Sequence, residues 1–113
     1  MTEFTFLFRS RPVPASPEQA QKTVQKWAAW LTELREKGHI KNPGNPLDAG
    51  GFVVRGPDRL VSDGPFTEAK DIVNGHLSVE AKDAAHAAEL AKGCPVLDAG
   101  GSVEVRPVRI IAM

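Results

Sequence analysis

Among 113 residues the chain has a single cysteine, Cys94, which excludes an intramolecular disulfide and a thiolate cage for a metal. It also lacks an excess of charge: 14 basic residues stand against 14 acidic ones. Neither nucleic acid nor an anionic membrane surface is therefore an expected partner. No apolar run approaches the roughly 20 residues of a bilayer span, and Met1-Thr2-Glu3 has neither the basic end nor the apolar run of a signal peptide, so the expected location is the cytoplasm. Histidine and carboxylate spacings match no metal set, and there is no glycine-rich phosphate loop or Gly-x-Ser-x-Gly elbow. No cofactor is expected. Cys94 itself, between Gly93 and Pro95, reads as a small packing residue rather than a reactive thiol.

What is present fits one domain spanning residues 1–113. Glu3 to Arg9 alternates, with Phe4, Phe6 and Phe8 on one side and Thr5, Leu7 and Arg9 on the other, the period of a half-buried strand. Ser16-Pro-Glu-Gln then supplies an N-cap, a proline at the first helical position and a capping-box glutamine. The stripe Ala20, Val24, Trp27, Leu31 and Leu34 predicts the buried helix face, with Trp30 pointing elsewhere and Gly38 as the stop. Residues 42–51 are dense in turn formers. Phe52-Val-Val-Arg and Leu60-Val-Ser, separated by Gly56-Pro-Asp-Arg, read as a hairpin.

Alternation returns in Val73 to Glu80, where Val73, Gly75, Leu77 and Val79 oppose Asn74, His76, Ser78 and Glu80. Asp83 can cap a second helix with Ala84, Ala87, Ala88, Leu90 and Ala91 on its apolar side, ended by Gly93 and Pro95. Ser102 to Ile110 alternates again. The segment Leu-Asp-Ala-Gly-Gly occurs at 47–51 and at 97–101, each time after a helix and before a valine-containing strand. These elements predict an α+β chain of two strand-helix-strand halves, a ferredoxin-like antiparallel sheet with both helices on one face.

With helices over the phenylalanine face, the other face carries Thr5, Leu7, Arg9, His76, Ser78, Glu104 and Arg106. In a ferredoxin-like order the first strand is flanked by the third and fourth, which places His76, Arg9, Glu104 and Arg106 on neighbouring strands. A histidine, a carboxylate and two arginines suit a small anion or acid-base chemistry, with His76 as the candidate catalytic group. Polar residues on a wet sheet face, paired across strands for solubility, are the competing explanation. His39 and His86, near helix ends, are expected to serve only at the surface.

Asp63-Gly64-Pro65-Phe66-Thr67-Glu68-Ala69-Lys70 resembles the DGPF group of the YCII-related proteins, in which a segment like DGPFAETK follows the hairpin. The likeness extends over nearly the whole chain, through Lys37-Gly-His-Ile-Lys, Val54-Arg-Gly, Ala91-Lys-Gly-Cys-Pro and Gly101-Ser-Val-Glu-Val-Arg-Pro. It implies a ferredoxin-like domain that pairs through its sheets as a dimeric α-β barrel, with a cleft near the interface. It implies no particular reaction: the wider fold hosts monooxygenases, dehalogenase-like enzymes and lactone isomerases. A histidine-aspartate pair proposed in a better-studied branch does not carry over, since Trp27 and Arg9-Ser10 occupy those regions. His76 stands where the DGPF pattern has an aromatic.

In the motif, Gly64 is expected to allow an unusual turn conformation and Pro65 to fix φ. Asp63 can accept backbone donors, Phe66 can anchor the loop, and Glu68 and Lys70 can face a pocket. Two readings remain open. One is a homodimer binding a small acidic or carbonyl compound, either as a binding protein or as a cofactor-independent enzyme. The other is a non-catalytic module with a sigma-factor-related protein as partner, suggested by relatives associated with extracytoplasmic-function sigma factors.

Overall fold

A computed structural model of the chain describes residues 1–10, 15–48, 50–64 and 72–111. In chain order these form β1 (Thr2–Ser10), α1 (Pro17–Glu36), β2 (Ile40–Asn42), β3 (Phe52–Arg55), β4 (Leu60–Asp63), β5 (Ile72–Ala81), α2 (Ala84–Ala91), a 3₁₀ helix (Pro95–Ala99) and β6 (Ser102–Pro107). The main sheet has the order β2-β5-β1-β6, and β3 pairs with β4 in a separate hairpin. All pairings are antiparallel. The fold is α+β, and β1 lies between β5 and β6 as the ferredoxin-like order requires. The short β2 had no alternation to announce it; only Ile40 is apolar.

Both helices begin where their caps predict. The Ser16 hydroxyl accepts from the Gln19 amide at 3.2 Å, and the Gln19 side chain accepts from the Ser16 amide at the same distance. Asp83 accepts from the His86 amide at 2.8 Å. Each such cap stabilises its helix by about 1 kcal/mol.

The core lies between the sheet and the helices. Phe6, Leu77 and Val79 are fully buried, with Phe4, Phe8, Trp30, Leu34, Ala87, Ala91 and Cys94 around them. Fully burying an aliphatic or phenylalanine side chain stabilises by roughly 1.5–3 kcal/mol. The face of α1 differs from expectation. Trp30 is buried, Trp27 and Leu31 are half-buried, and Val24 is 67% exposed. The face is rotated towards Trp30 because that indole fills the space beside Phe6 and Phe8, with ring centroids 6.3 and 6.0 Å apart. Trp27 covers the edge of Phe8 at 5.0 Å. Gly93 makes room for the same indole: a Cβ there would stand 2.8 Å from Trp30 Cδ1. Its place in the chain reflects this close approach rather than a left-handed helix stop.

Strand β5 carries an irregularity that strict alternation cannot show. Phe8 pairs with Gly75, but Arg9 pairs with Val73 and Ser10 with Ile72, so one extra residue enters between. Paired residues share a face. Ile72 therefore joins the covered side, where it is buried, while Val73 lies beside Arg9 rather than with Leu77 and Val79. The Asn74 amide at this bulge donates to the Ser10 carbonyl at 3.1 Å.

The two Leu-Asp-Ala-Gly-Gly segments are not structural equivalents. The second forms most of the 3₁₀ helix and ends at Gly100 with φ 81°. The first follows β2, not a helix; its Leu47 amide donates to the Asn74 carbonyl of β5 at 2.7 Å, while its Gly51 carbonyl accepts from the Gly64 amide at 3.2 Å. The strand-helix-strand halves are real, but these segments occupy different points in them.

Candidate functional site

The open sheet face is built by strand register. Across β5, β1 and β6 one row reads His76, Leu7, Glu104 and the next reads Ser78, Thr5, Arg106, with Arg9 beside Ser102 on the other side. Strand twist and side-chain length let diagonal neighbours meet. Arg9 Nε lies 3.3 Å from Glu104 Oε1, and Arg106 Nη1 lies 3.0 Å from Glu104 Oε2. Glu104 thus bridges two guanidinium groups. The hydrogen bond from Arg106, ahead of the charge of Arg9, holds its carboxyl below the usual carboxylate range.

The expected neighbourhood of His76 is only partly found. The residue is exposed on the open face, but Leu7 stands between it and Glu104, and Arg106 belongs to the adjoining row on β6. Two strand spacings amount to about 10 Å. Arg9 directs its guanidinium at Glu104 instead. The partner that sequence reading missed is Gly44. A Cβ on Gly44 would stand 1.9 Å from the His76 carbonyl oxygen and 2.9 Å from its ring Nδ1. The loop after β2 therefore lies directly against this histidine.

Asp63 and Gly64 sit at the base of the hairpin. Asp63 is exposed and pairs with Phe52. The Gly64 amide donates to the Gly51 carbonyl at 3.2 Å. Gly64, expected to allow an unusual turn conformation, is not among the glycines with positive φ. Its requirement is steric: a Cβ would come 2.2 Å from Val53 Cγ2. Pro65, Phe66, Glu68 and Lys70, the remaining motif candidates, lie outside the described residues, as does the Arg11–Pro14 breaker. Among the described residues no ion pair joins Asp63 to the Arg9–Glu104–Arg106 group.

Elsewhere, His39 and His86 do more than decorate the surface. Their rings meet edge to face at 5.2 Å. His39 Nδ1 lies 2.9 Å from the Glu80 carbonyl, and His86 Nδ1 accepts from the Lys82 amide at 3.0 Å, so the pair braces β2 against the start of α2. Cys94 is 2% exposed, and burial pushes its thiol up to about 11. A thiol so protonated is a packing group. Two shallow depressions of about 290 Å³ lie on the helical side between α1 and the 3₁₀ helix, near Lys26 and Asp98, away from the open face. Among the described residues no three His, Cys, Asp or Glu side chains are placed to hold a metal, and no helix is long and apolar enough to cross a membrane.

Strand order, helix placement and a one-sided sheet define a small α+β domain with one polar face that is free of helix among the described residues. The model of the YCII-related domain matches residues 4–111, and the chain belongs to the YCII-related family. No curated protein matches it.

Proposed function

We propose that this YCII-related protein is a cytoplasmic homodimer that binds a small acidic or carbonyl compound on the open sheet face, the second copy covering that face as in a dimeric α-β barrel. The observation that carries the reading is the Glu104 carboxylate held between Arg9 and Arg106, one strand away from Leu7 and two from His76. A short apolar surface flanked by guanidinium groups on one side and an imidazole on the other suits a ligand with an acidic end and an apolar body. Arg106 is the cation best placed to receive the acid, because its side chain is 66% exposed while Arg9 is half as open. Likeness of Asp63–Lys70 to the DGPF segment supports placing that loop at the rim of the same site. Catalysis without a cofactor, with His76 moving a proton, is the stronger form of this reading.

A thermal-shift screen of the purified protein against small carboxylic acids and carbonyl compounds tests it. A ligand at 100 times its Kd stabilises the fold by about 2.7 kcal/mol, and Arg106→Gln removes that gain. The alternative, a regulatory module of the DGPF kind bound to a sigma-factor-related protein, gains no stability from any such compound. That outcome would sink the small-molecule reading.

A further inference from the structure

The hairpin β3–β4 is the part of the molecule that its own core leaves unexplained. Every residue of both strands is exposed except Val53, which is half-buried over Gly64. Register places Phe52, Val54, Val61 and Asp63 on one face and Val53, Arg55, Leu60 and Ser62 on the other. The first face is apolar: Phe52 is 75% exposed, Val61 64% and Val54 62%. An isolated two-stranded hairpin is marginal in water, and contiguous apolar surface on such an arm marks a contact site. The molecule is also spread thin for its length. It measures 47 × 43 × 19 Å with a radius of gyration of 15.7 Å, where a compact chain of this size has about 13 Å.

We propose that the β3–β4 hairpin is a clasp that lies across the open sheet face of a second copy, so that Phe52, Val54 and Val61 of each protomer close the candidate site of the other. This rests on the pairing of open faces proposed above and names the segment that completes it. Two observations favour a second copy as the occupant. First, the dimensions match: four strand residues extend about 14 Å, and β5, β1 and β6 span about 10 Å. The chain's formal net charge of zero gives two copies no overall repulsion. Second, the area suffices. The apolar clasp face offers on the order of 400 Å², and two reciprocal clasps, counting both surfaces, bury about 1,600 Å², the size of a standard stable interface.

The test uses the full chain in two measurements. Sedimentation velocity compares wild type with Val54→Lys/Val61→Lys and with Leu7→Lys. The two hairpin positions are solvent-exposed, so an unchanged circular dichroism spectrum confirms folding. In the second measurement, a benzophenone amino acid replaces Phe52 in an equal mixture of ¹⁴N- and ¹⁵N-labelled copies, and cross-linked peptides are read by mass. The clasp predicts a wild-type dimer weakened about tenfold or more by the paired lysines, each an unpaired charge in an apolar contact. It also predicts mixed-isotope cross-links from residue 52 to β1, β5 or β6. A dimer weakened by Leu7→Lys but not by the hairpin lysines, with no mixed cross-links to those strands, overturns the clasp and leaves face pairing intact. A wild-type monomer at tens of micromolar overturns both. Cross-links that join position 52 only to its own chain, or to a different protein, also reject the clasp.

Discussion

The indole Nε1–H of Trp30 donates to the carbonyl oxygen of Leu90 at 3.2 Å, tying the middle of α1 to the end of α2 across the core. The ring that makes this bond also stacks on Phe6 and meets Phe8 and Trp27 edge to face. Trp30→Ala is therefore expected to cost roughly 3–5 kcal/mol, as truncation of a buried aromatic does. Trp27→Ala, at the half-buried edge, is expected to cost less. Trp30→Phe keeps ring contact but removes the donor, a loss of about 1 kcal/mol before any cavity is counted. Urea unfolding of the three variants gives the order. Equal losses at positions 27 and 30 would contradict the rotated helix face.

That rotation shows where sequence reasoning stops. The period of α1 was visible, but five apolar residues at steps of four and three were weighted equally, and only the packing partner decides which side of the stripe is deepest. Phe6 and Phe8 select the two tryptophans over Ala20 and Val24. On the sheet, parity predicted the open face correctly through Thr5, Leu7, His76, Glu104 and Arg106. It failed at Val73, because an inserted residue reverses parity beyond it without any mark in composition. The Arg9–Glu104 pair followed from strand order and the Glu104–Arg106 pair from parity along β6, whereas the contact of Gly44 with His76 depends on where a loop returns to the sheet, information that local turn preferences do not contain.

Gly64 tests steric against conformational need. If its role were to permit left-handed backbone, Gly64→Asn would be tolerated better than Gly64→Ala, since asparagine accepts that region. The close approach to Val53 Cγ2 predicts instead that both variants loosen the hairpin. It further predicts that Val53→Ala recovers part of the loss in Gly64→Ala, a coupling on the order of 0.5–3 kcal/mol. Amide exchange in residues 52–64 reads the local opening free energy of a segment that packs mainly on itself. Additive effects would show that the two residues do not meet.

Cys94 carries a pH prediction. Burial raises its thiol from the ordinary value near 9 to about 11, so the folded state retains a proton that the unfolded chain releases first. Stability from this group is whole below pH 9 and falls as pH rises towards 11. The full loss is on the order of 2–3 kcal/mol, since each tenfold difference in proton affinity between the folded and unfolded thiol is worth about 1.4 kcal/mol. Denaturant midpoints for wild type and Cys94→Ala between pH 8 and 11 measure it, the expected sign being a steeper decline in wild type. Rapid reaction of the native thiol with a disulfide reagent at pH 8 would contradict its burial.

Gly44 links the loop to the candidate site, because its backbone φ of +62° and its position leave no space for a side chain: a Cβ would stand 1.9 Å from the His76 carbonyl oxygen. Gly44→Ala must either strain the left-handed backbone or move the loop away from β5, and the cost is expected to be on the order of 1–3 kcal/mol. The bridge between Pro46 and Gly75 and the bond from the Leu47 amide to Asn74 lie just beyond, so displacement of the loop should weaken both. Backbone amide shifts in the variant are expected to change at His76, Gly75 and Leu47 and to stay unchanged at Glu104 and Arg106, two strands away. Affinity for a small carboxylate supplies the functional readout. If His76 helps hold the ligand, Gly44→Ala weakens binding while the Arg9–Glu104–Arg106 pairing persists; unchanged affinity alongside shifted His76 resonances would confine the ligand to the arginine side of Leu7.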